Sequence, residues 1–131
     1  MHHRQLIDPA GLHPAPGFSH VAITDGSRVV HLAGQVALAE DFSIVGGADL
    51  AAQTEAAMRN VEIALRAAGA TWDDVVRRTI YTVRPTEYEV ITAAIDRVTG
   101  GAAHPAQTIV GITGLAVPGL LIEIECTAVL A

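Results

Sequence analysis

The sequence is short of cysteine and of positive charge, and both shortages exclude classes of protein. Cys126 is the only cysteine among the 131 residues, so no intrachain disulfide can form and a reducing cytoplasm is the expected compartment. Lysine and arginine number 8 against 14 acidic residues, the net charge is −6, and no basic run occurs. Because phosphate recognition needs clustered cations, neither nucleic acids nor anionic membranes are expected partners.

Long apolar runs and an apolar leader are also missing. No window approaches the roughly 20 apolar residues that span a bilayer, and the first five residues contain no signal region. Half of the residues are nevertheless hydrophobic and only 17% are charged. A surplus of this kind predicts either a large core or apolar surface that is buried against other subunits.

The length predicts a single domain over residues 1–131, in which residues 1–17 form an extended N-terminal arm that contains three prolines. Two short strands are predicted over residues 18–24 and 28–33, and Asp25-Gly26 between them is a tight hairpin signal. A weak strand is predicted over residues 42–45.

Helical periodicity follows this strand region. Asp49 is the predicted N-cap of a first helix, whose apolar residues recur at three- and four-residue steps as far as Gly69. Thr86 and Glu89 form a predicted capping box for a second helix. The predicted inner face of the second helix consists of Tyr88, Ile91, Ile95 and Val98.

Further strands are predicted over residues 75–83, 107–112 and 120–129, and residues alternate between two faces in the last of these. The order β-β-(β)-α-β-α-β-β predicts an α+β fold, with a mixed sheet and two helices on one face. No element remains to cover the opposite face, so self-association is expected there. The apolar residues predicted on that face are Tyr81, Val83, Ile109, Leu121 and Val129.

Five segments give the sequence from about Phe18 onwards a resemblance to the RidA/YjgF family of small trimeric proteins. The resemblance rests on their order and spacing, since each segment alone is weak. The segments are Ala33-Gly34-Gln35, then Gln53 with Asn60-Val61, Leu65 and Ala68-Gly69, then Asp74-Val75-Val76 with Thr79-Ile80-Tyr81, then His104-Pro105-Ala106, and finally Ile122-Glu123-Ile124-Glu125.

The resemblance implies a chorismate-mutase-like fold of order β-β-β-α-β-α-β-β and a homotrimer with ligand clefts between its subunits. It also implies hydrolysis of 2-iminoacids or their enamine tautomers to 2-ketoacids and ammonia, with no metal and no organic cofactor. A small-molecule ligand between subunits is therefore the expected partner.

Gln107 is the most informative departure from the family pattern. The resemblance places here an arginine that binds the substrate carboxylate through a two-pronged charged hydrogen bond, whereas a glutamine amide donates and accepts without charge. A charged hydrogen bond contributes about 1.5–3 kcal/mol. We therefore expect weak or absent activity on ordinary 2-iminoacids and a better fit for a neutral amide, carbonyl or hydroxyl group.

Glu123 matches the family glutamate that positions water, and it is the predicted catalytic residue. Glu125 lies two residues further on the same strand face, about 7 Å away at normal strand rise. The alternative is that one of the two glutamates is a structural acceptor for backbone amides or hydroxyls.

The resemblance adds further substrate-binding candidates around the cleft, most of which depart from the common family residue. Phe18 occupies a position where the family frequently has tyrosine, and Ala33 one where it frequently has serine. Thr92 replaces an asparagine found in many members, and Ile109 replaces an occasional cysteine. Gly34 falls where the family places a backbone group against the ligand. Because these departures surround the ligand site while the scaffold segments match, they indicate a respecialised pocket.

Two other kinds of site are not expected. The histidines show no HxxxH or HxH spacing, so no metal site is predicted. Cys126 shares its strand face with Ile122 and Ile124 and is interpreted as a buried core thiol. The sequence leaves two functions open, a cofactor-free hydrolase and a non-catalytic trimer that binds a small molecule.

Overall fold

A computed structural model describes residues 3–131. These residues contain two helices, α1 (Leu50–Ala67) and α2 (Tyr88–Thr99), and a short 3-10 helix that spans Trp72–Asp74. The strands of the described residues are β1 (Arg4–Ile7), β2 (Val21–Thr24), β3 (Arg28–His31), β4 (Gln35–Val36), β5 (Val75–Thr82), β6 (Ala106–Gly111) and β7 (Ile122–Leu130).

Helix α1 begins and ends as its sequence predicts. The Asp49 side chain accepts a hydrogen bond from the backbone N–H of Ala52 at 3.0 Å and so satisfies one of the free donors at the helix start. Gly69, just beyond the end, has φ +76, a left-handed conformation that glycine adopts without steric cost. These caps explain why the predicted boundaries are confirmed.

Helix α2 differs from the prediction at its N-terminus. The N-cap is Glu87, without a side-chain capping bond, so the capping box predicted from Thr86 and Glu89 is wrong. Tyr88 is 43% exposed and does not belong to the inner face, whereas Ile91 and Ile95 are buried there. The helix ends at Gly100 in the left-handed conformation.

The main sheet is mixed and has five strands. Strand β5 pairs in parallel with β6 and antiparallel with β7, and β7 also pairs antiparallel with β3 and with β4. With two helices beside it, this sheet confirms the predicted α+β class.

One face of the sheet forms the core. Ile80 lies opposite Ile124 in β7 and opposite Ile109 in β6, so these side chains share a face, and the prediction that Ile109 lies on the opposite face is wrong. Apolar residues of both helices, among them Val61 and Ile95, belong to the same buried cluster. Burying each large apolar side chain contributes about 1.5–3 kcal/mol, which makes this layer the main source of stability.

The opposite face is only partly covered. Tyr81 lies opposite Glu123 and Val110 on this face, and Val110 is 37% exposed. Val29, which pairs with Val129, is 59% exposed. Val129 itself is 8% exposed, against the expectation that it would be uncovered, and the turn at Gly26 packs against it, since a Cβ there would lie 2.5 Å from Val129 Cγ1.

The N-terminal segment contains a strand that the arm prediction did not include. Strand β1 pairs antiparallel with β2, while β3 pairs with β7, so Asp25-Gly26 does not connect a hairpin. A Cβ at Gly26 would lie 2.4 Å from the carbonyl oxygen of Leu130, which shows that this turn carries the chain past the end of β7. Residues 1 and 2 of the predicted arm lie outside the described residues.

The weak strand predicted over residues 42–45 is replaced by a tight loop. Leu38 and Ile44 form an isolated bridge across it, and Phe42 at its tip has φ 68. Within residues 3–131, neither helix is long and apolar enough to cross a membrane.

Candidate functional site

The first cavity lies between β6, α2 and the loop that precedes β2, and its volume is about 480 Å³. Gln107, Ile109, Thr92 and Phe18 all line it, so the fold brings four of the predicted site residues together. Other residues line this cavity too, among them His13, His20 and Tyr88.

Aromatic rings form one wall of this first cavity. The ring of His20 lies 4.7 Å from that of His13 and 5.1 Å from that of Phe18, both edge-on. His20 Nε2 bonds the carbonyl oxygen of His13 at 2.8 Å, and because a carbonyl only accepts, His20 is the donor. This contact holds the loop that forms the wall.

A buried arginine lies directly behind Gln107. Arg78 is 3% exposed, and its Nε donates a hydrogen bond of 2.5 Å to Gln107 Oε1. Its terminal nitrogen donates to the carbonyl of Gly17 at 3.1 Å and bonds His104 Nδ1 at 3.0 Å. Burial lowers the pKa of Arg78 to about 10, so this guanidinium is still charged at neutral pH.

His104 connects Arg78 to an acidic residue nearer the surface. Since arginine only donates, His104 Nδ1 must accept, which places the imidazole proton on Nε2. Nε2 lies 3.0 Å from Asp96 Oδ1. The chain Asp96–His104–Arg78–Gln107, here named the buried relay, therefore runs from the protein surface to the wall of the first cavity.

The buried relay predicts that His104 stays neutral at pH 7. Burial and the charge of Arg78 lower its pKa below the usual 6.5, while Asp96 acts in the opposite direction. As the pH falls below about 6.5, the unfolded chain binds this proton before the folded one does. His104 therefore contributes to the free energy of unfolding at pH values above about 6.5. This contribution is lost as the pH falls from there towards the pKa of His104 in the folded protein. An NMR titration of its ring protons should give a midpoint below 6.5.

His104→Asn identifies the resonance, and Asp96→Asn is the informative comparison. Because Asp96 raises the pKa of His104, its neutralisation should move the midpoint lower still. A midpoint at or above 6.5 in the native protein would contradict the tautomer and the relay.

A second cavity, of about 450 Å³, lies at the predicted catalytic residue. Glu123 and Gly34 line it together with Tyr81 and Glu125. A Cβ at Gly34 would lie 2.0 Å from Glu123 Oε2, so only glycine leaves room for that carboxylate. The close approach gives Gly34 a physical role besides that of a strand-end turn.

The two glutamates differ in their hydrogen bonding. Glu125 Oε1 accepts from the Tyr81 hydroxyl, and this bond raises the pKa of Tyr81. Within residues 3–131 the carboxylate of Glu123 has no hydrogen-bond or ion-pair partner, although it faces the second cavity. Of the two, Glu125 thus has the structural contact and Glu123 remains available.

The two cavities lie on opposite faces of the sheet. Gln107 pairs with Arg78, which in turn pairs with Cys126, so all three point to the side that carries the helices. Glu123 pairs with Tyr81 and points to the other side. One copy of the chain therefore presents the amide and the acid in two separate cavities.

Ala33 is the predicted site residue that lines neither cavity. Ala33 directly precedes Gly34 and is exposed, and its carbonyl oxygen accepts a hydrogen bond of 3.3 Å from the Gln35 side chain. Its predicted contact with ligand stays a prediction.

Comparison with known proteins identifies the family. The family model described as endoribonuclease L-PSP matches residues 10–130. The chain belongs to the RidA/YjgF family. A RutC family protein of Synechocystis is 27% identical over 118 residues, which cover 89% of this chain and 90% of that protein.

Two solved RidA/YjgF structures extend the likeness to the fold. A protein of unknown function from the conserved Rid family of Yersinia pestis is 42% identical, with a TM-score of 0.90 over 98% of this chain and 99% of that one. A YjgF/YER057c/UK114 family member from Mycobacterium tuberculosis is 34% identical, with a TM-score of 0.66 over 97% and 99%.

Sequence reasoning missed Arg78, although a signal for it existed. Arg77 and Arg78 are consecutive in a strand whose residues alternate between faces, so one of the two had to point towards the core. Arg77 is the exposed one and donates to Thr108 Oγ1 at 2.7 Å. The Arg77-Arg78 pair was therefore the sequence signal for a buried arginine in this chain.

Cys126 matches its interpretation as a core thiol. It is 3% exposed, and burial raises its pKa to about 12, so it remains protonated and unreactive at neutral pH. Residues 3–131 contain no cluster of three or more histidine, cysteine, aspartate or glutamate side chains arranged to hold a metal ion.

Proposed function

We propose that this RidA/YjgF protein hydrolyses an imine or enamine of a small metabolite, with Glu123 as the group that activates water. The observation that carries the proposal is the carboxylate of Glu123, which opens into the second cavity without a partner among the described residues while its neighbour Glu125 is bound by Tyr81. An accessible carboxylate beside a cavity is suited to accept a proton from water.

The chemistry needs water, one proton carrier and no cofactor. Water adds to the carbon of the C=N bond as Glu123 accepts its proton. Glu123 then returns the proton to the nitrogen of the resulting carbinolamine. Glu123 next takes the hydroxyl proton of the carbinolamine and passes it to the nitrogen, so that the C–N bond breaks, ammonia leaves, and the carbon becomes a carbonyl. Overall, one imine and one water give one carbonyl compound and one ammonia.

Self-association into a homotrimer, with the ligand between subunits, completes the proposal. The amide of Gln107 and the acid of Glu123 occupy opposite faces of one sheet, so a site with both groups requires two copies of the chain. The face of Glu123 also carries apolar side chains left exposed, such as Val29 at 59% and Val110 at 37%. Burying them against another copy is favourable.

At Gln107 the site is proposed to prefer a neutral substrate group to a carboxylate. Gln107 brings no charge of its own to the cavity, and Arg78 behind it is 3% exposed and does not line the cavity. A carboxylate therefore lacks the direct two-pronged partner that an arginine would provide. We expect slower hydrolysis of 2-iminopropionate than of its neutral amide counterpart.

The test measures ammonia release from these two imines, each generated in place by oxidation of the matching amine, above the uncatalysed rate. Native protein should accelerate the neutral imine more than the carboxylate, and Glu123→Gln should lose this acceleration. Glu125→Gln is the matched comparison, because its amide oxygen still accepts the Tyr81 hydroxyl, and it should lose much less. Equal rates in native protein and Glu123→Gln would overturn the proposal.

A second candidate function is a trimer that binds a small molecule without chemistry. Its support is that the first cavity holds Gln107 but no carboxylate, so a ligand can occupy it without meeting the acid. Ligand would then raise the melting temperature by mass action, and Glu123→Gln would leave that shift unchanged. RNA cleavage, the activity in the matching family model's description, is not proposed here because the net charge is −6 and no basic run is present.

A further inference from the structure

The amide of Gln107 has one orientation within the buried relay. Its Oε1 accepts from Arg78 Nε, and because arginine cannot accept, the reverse orientation would place two donors against each other. Nε2 is therefore the end left for the first cavity, which Gln107 lines. Within residues 3–131, Nε2 has no hydrogen-bond partner.

The charge behind this amide is only partly balanced. Arg78 contacts the carbonyl of Gly17, the imidazole of His104 and the amide of Gln107, all of them neutral groups. The nearest acid in the relay is Asp96, one imidazole away and 44% exposed. A guanidinium that donates to an amide oxygen polarises the amide and strengthens its N–H donors.

The remaining walls of the first cavity limit the ligand further. Phe18 and Ile109 are apolar, and the rings of His13 and His20 stand edge-on beside Phe18. A cationic group beside Gln107 would meet the donor end of the amide and the field of Arg78 together. The cavity therefore favours a small ligand with an apolar body and an oxygen at the Gln107 end.

We propose that the ligand presents a hydrogen-bond-accepting oxygen, of a carbonyl or a carboxylate, to Gln107 Nε2, and that Arg78 is the positioning residue that orients and polarises this amide. The inference rests on the proposed function, because it names the substrate group at the same site. It also reduces the set of substrate groups that can lie beside Gln107, since a hydroxyl that donates its proton and an ammonium group are excluded there.

The same geometry explains why glutamine suits position 107 in this chain. An arginine there would bring a second guanidinium to hydrogen-bond distance from Arg78, with no acid between them. Like charges at such a distance repel strongly in a buried setting. Gln107 instead accepts from the existing cation and carries its influence one side chain further, to the ligand.

The variant Gln107→Glu distinguishes an effect on ligand binding from an effect on folding. A glutamate keeps an oxygen for Arg78 Nε, so the melting temperature should be unchanged or higher, but an acceptor replaces the donor at the cavity. NMR titrations with pyruvamide, pyruvate and acetamidinium provide a neutral, an anionic and a cationic probe. Native protein should bind the first two and not the third. The variant should lose at least tenfold in affinity for both oxygen probes and should gain binding of acetamidinium.

Gln5→Glu is the matched control, since Gln5 is exposed in β1 and does not line the first cavity. It should leave the affinity for all three probes within twofold of native. The simultaneous loss and gain in Gln107→Glu cannot result from general disruption of the fold.

Arg78→Met tests the positioning role by a ratio of affinities. A purely structural role would weaken pyruvamide and pyruvate alike. The proposed role weakens pyruvate more, so the ratio of the two affinities should shift by about tenfold towards the neutral probe, equivalent to about 1.4 kcal/mol. If Arg78→Met does not fold, Gln107→Glu alone decides the inference.

The outcomes separate this inference from the proposed function. The inference is overturned if pyruvamide and pyruvate bind Gln107→Glu as tightly as they bind native protein. It is also overturned if native protein binds neither of them. In both cases the Glu123-dependent turnover of the proposed function can still be observed. Probe binding that is lost in Gln107→Glu without any Glu123-dependent turnover supports the inference and overturns the hydrolase.

Discussion

Replacing Gln53 with leucine should lower the free energy of unfolding by about 3 kcal/mol. Gln53 is fully buried in α1, and its Nε2 donates to the carbonyls of Gly47 at 2.6 Å and Gly119 at 2.9 Å, while its Oε1 accepts from Leu121 N–H at 2.9 Å. Leucine leaves these three backbone groups without partners, at about 1–3 kcal/mol each. The offset is the removal of one buried amide, which costs about 1–3 kcal/mol to desolvate.

Urea unfolding at one fixed protein concentration measures this effect, because self-association would make stability depend on concentration. The melting temperature should fall by roughly 10 °C. Gln5→Leu makes the same chemical change at an exposed position and should stay within about 0.5 kcal/mol of native. Equal stability of Gln53→Leu and Gln5→Leu would show that the loops before α1 and β7 do not depend on Gln53.

Gly34→Ala should slow hydrolysis by orders of magnitude without unfolding the protein. The added methyl would lie 2.0 Å from Oε2, 2.7 Å from Cδ and 2.9 Å from Cγ of Glu123, so the carboxylate has to leave its place. The backbone of Gly34 does not have a positive φ, so alanine brings no backbone strain. Misplacing the group that activates water should lower turnover about 10²–10⁴-fold, as for the loss of a general base.

Turnover and a crystal structure of the variant together check this result. Gly114→Ala is the matched control, since Gly114 lines the same cavity and an added methyl meets nothing within 4 Å. It should keep near-native turnover. In a Glu123→Gln background, Gly34→Ala should cause little further loss, because both changes remove the same contribution. Full turnover in Gly34→Ala would refute the role of Glu123.

Much of the fold followed from local patterns. Helix α1 was predicted from its N-cap Asp49, its apolar period and Gly69, which are all short-range signals. The alternation of β7 predicted that Ile122, Ile124 and Cys126 share the core face, and all three are buried. Such features depend on residues a few positions apart, so sequence alone was sufficient.

Pairings between distant segments were not predictable in this way. Asp25-Gly26 is a hairpin signal, yet β2 and β3 do not pair with each other. Instead β2 pairs with β1 and β3 pairs with β7, so tertiary contacts override the local signal. Thr86 and Glu89 have the spacing of a capping box, but α2 begins one residue after Glu87 and does not use it. In both places a correct local preference is overridden by packing.

The candidate site shows the same division. Gln107 and Glu123 were found by their departure from, or match to, a family pattern, and each does line a cavity. Their location on opposite faces depends on how β5, β6 and β7 are ordered, which no local signal states. The contact between Arg78 and Gln107 likewise depends on the parallel register of β5 and β6.

The buried relay has a consequence for how such proteins diverge. Asp96 lies at the outer end and is 44% exposed, so evolution can replace it without any packing penalty in the interior. Such a replacement would alter the field that reaches Gln107 and hence what the cavity prefers to hold. Ligand preference could thus drift through a position that an inspection of cavity walls alone would pass over as ordinary surface.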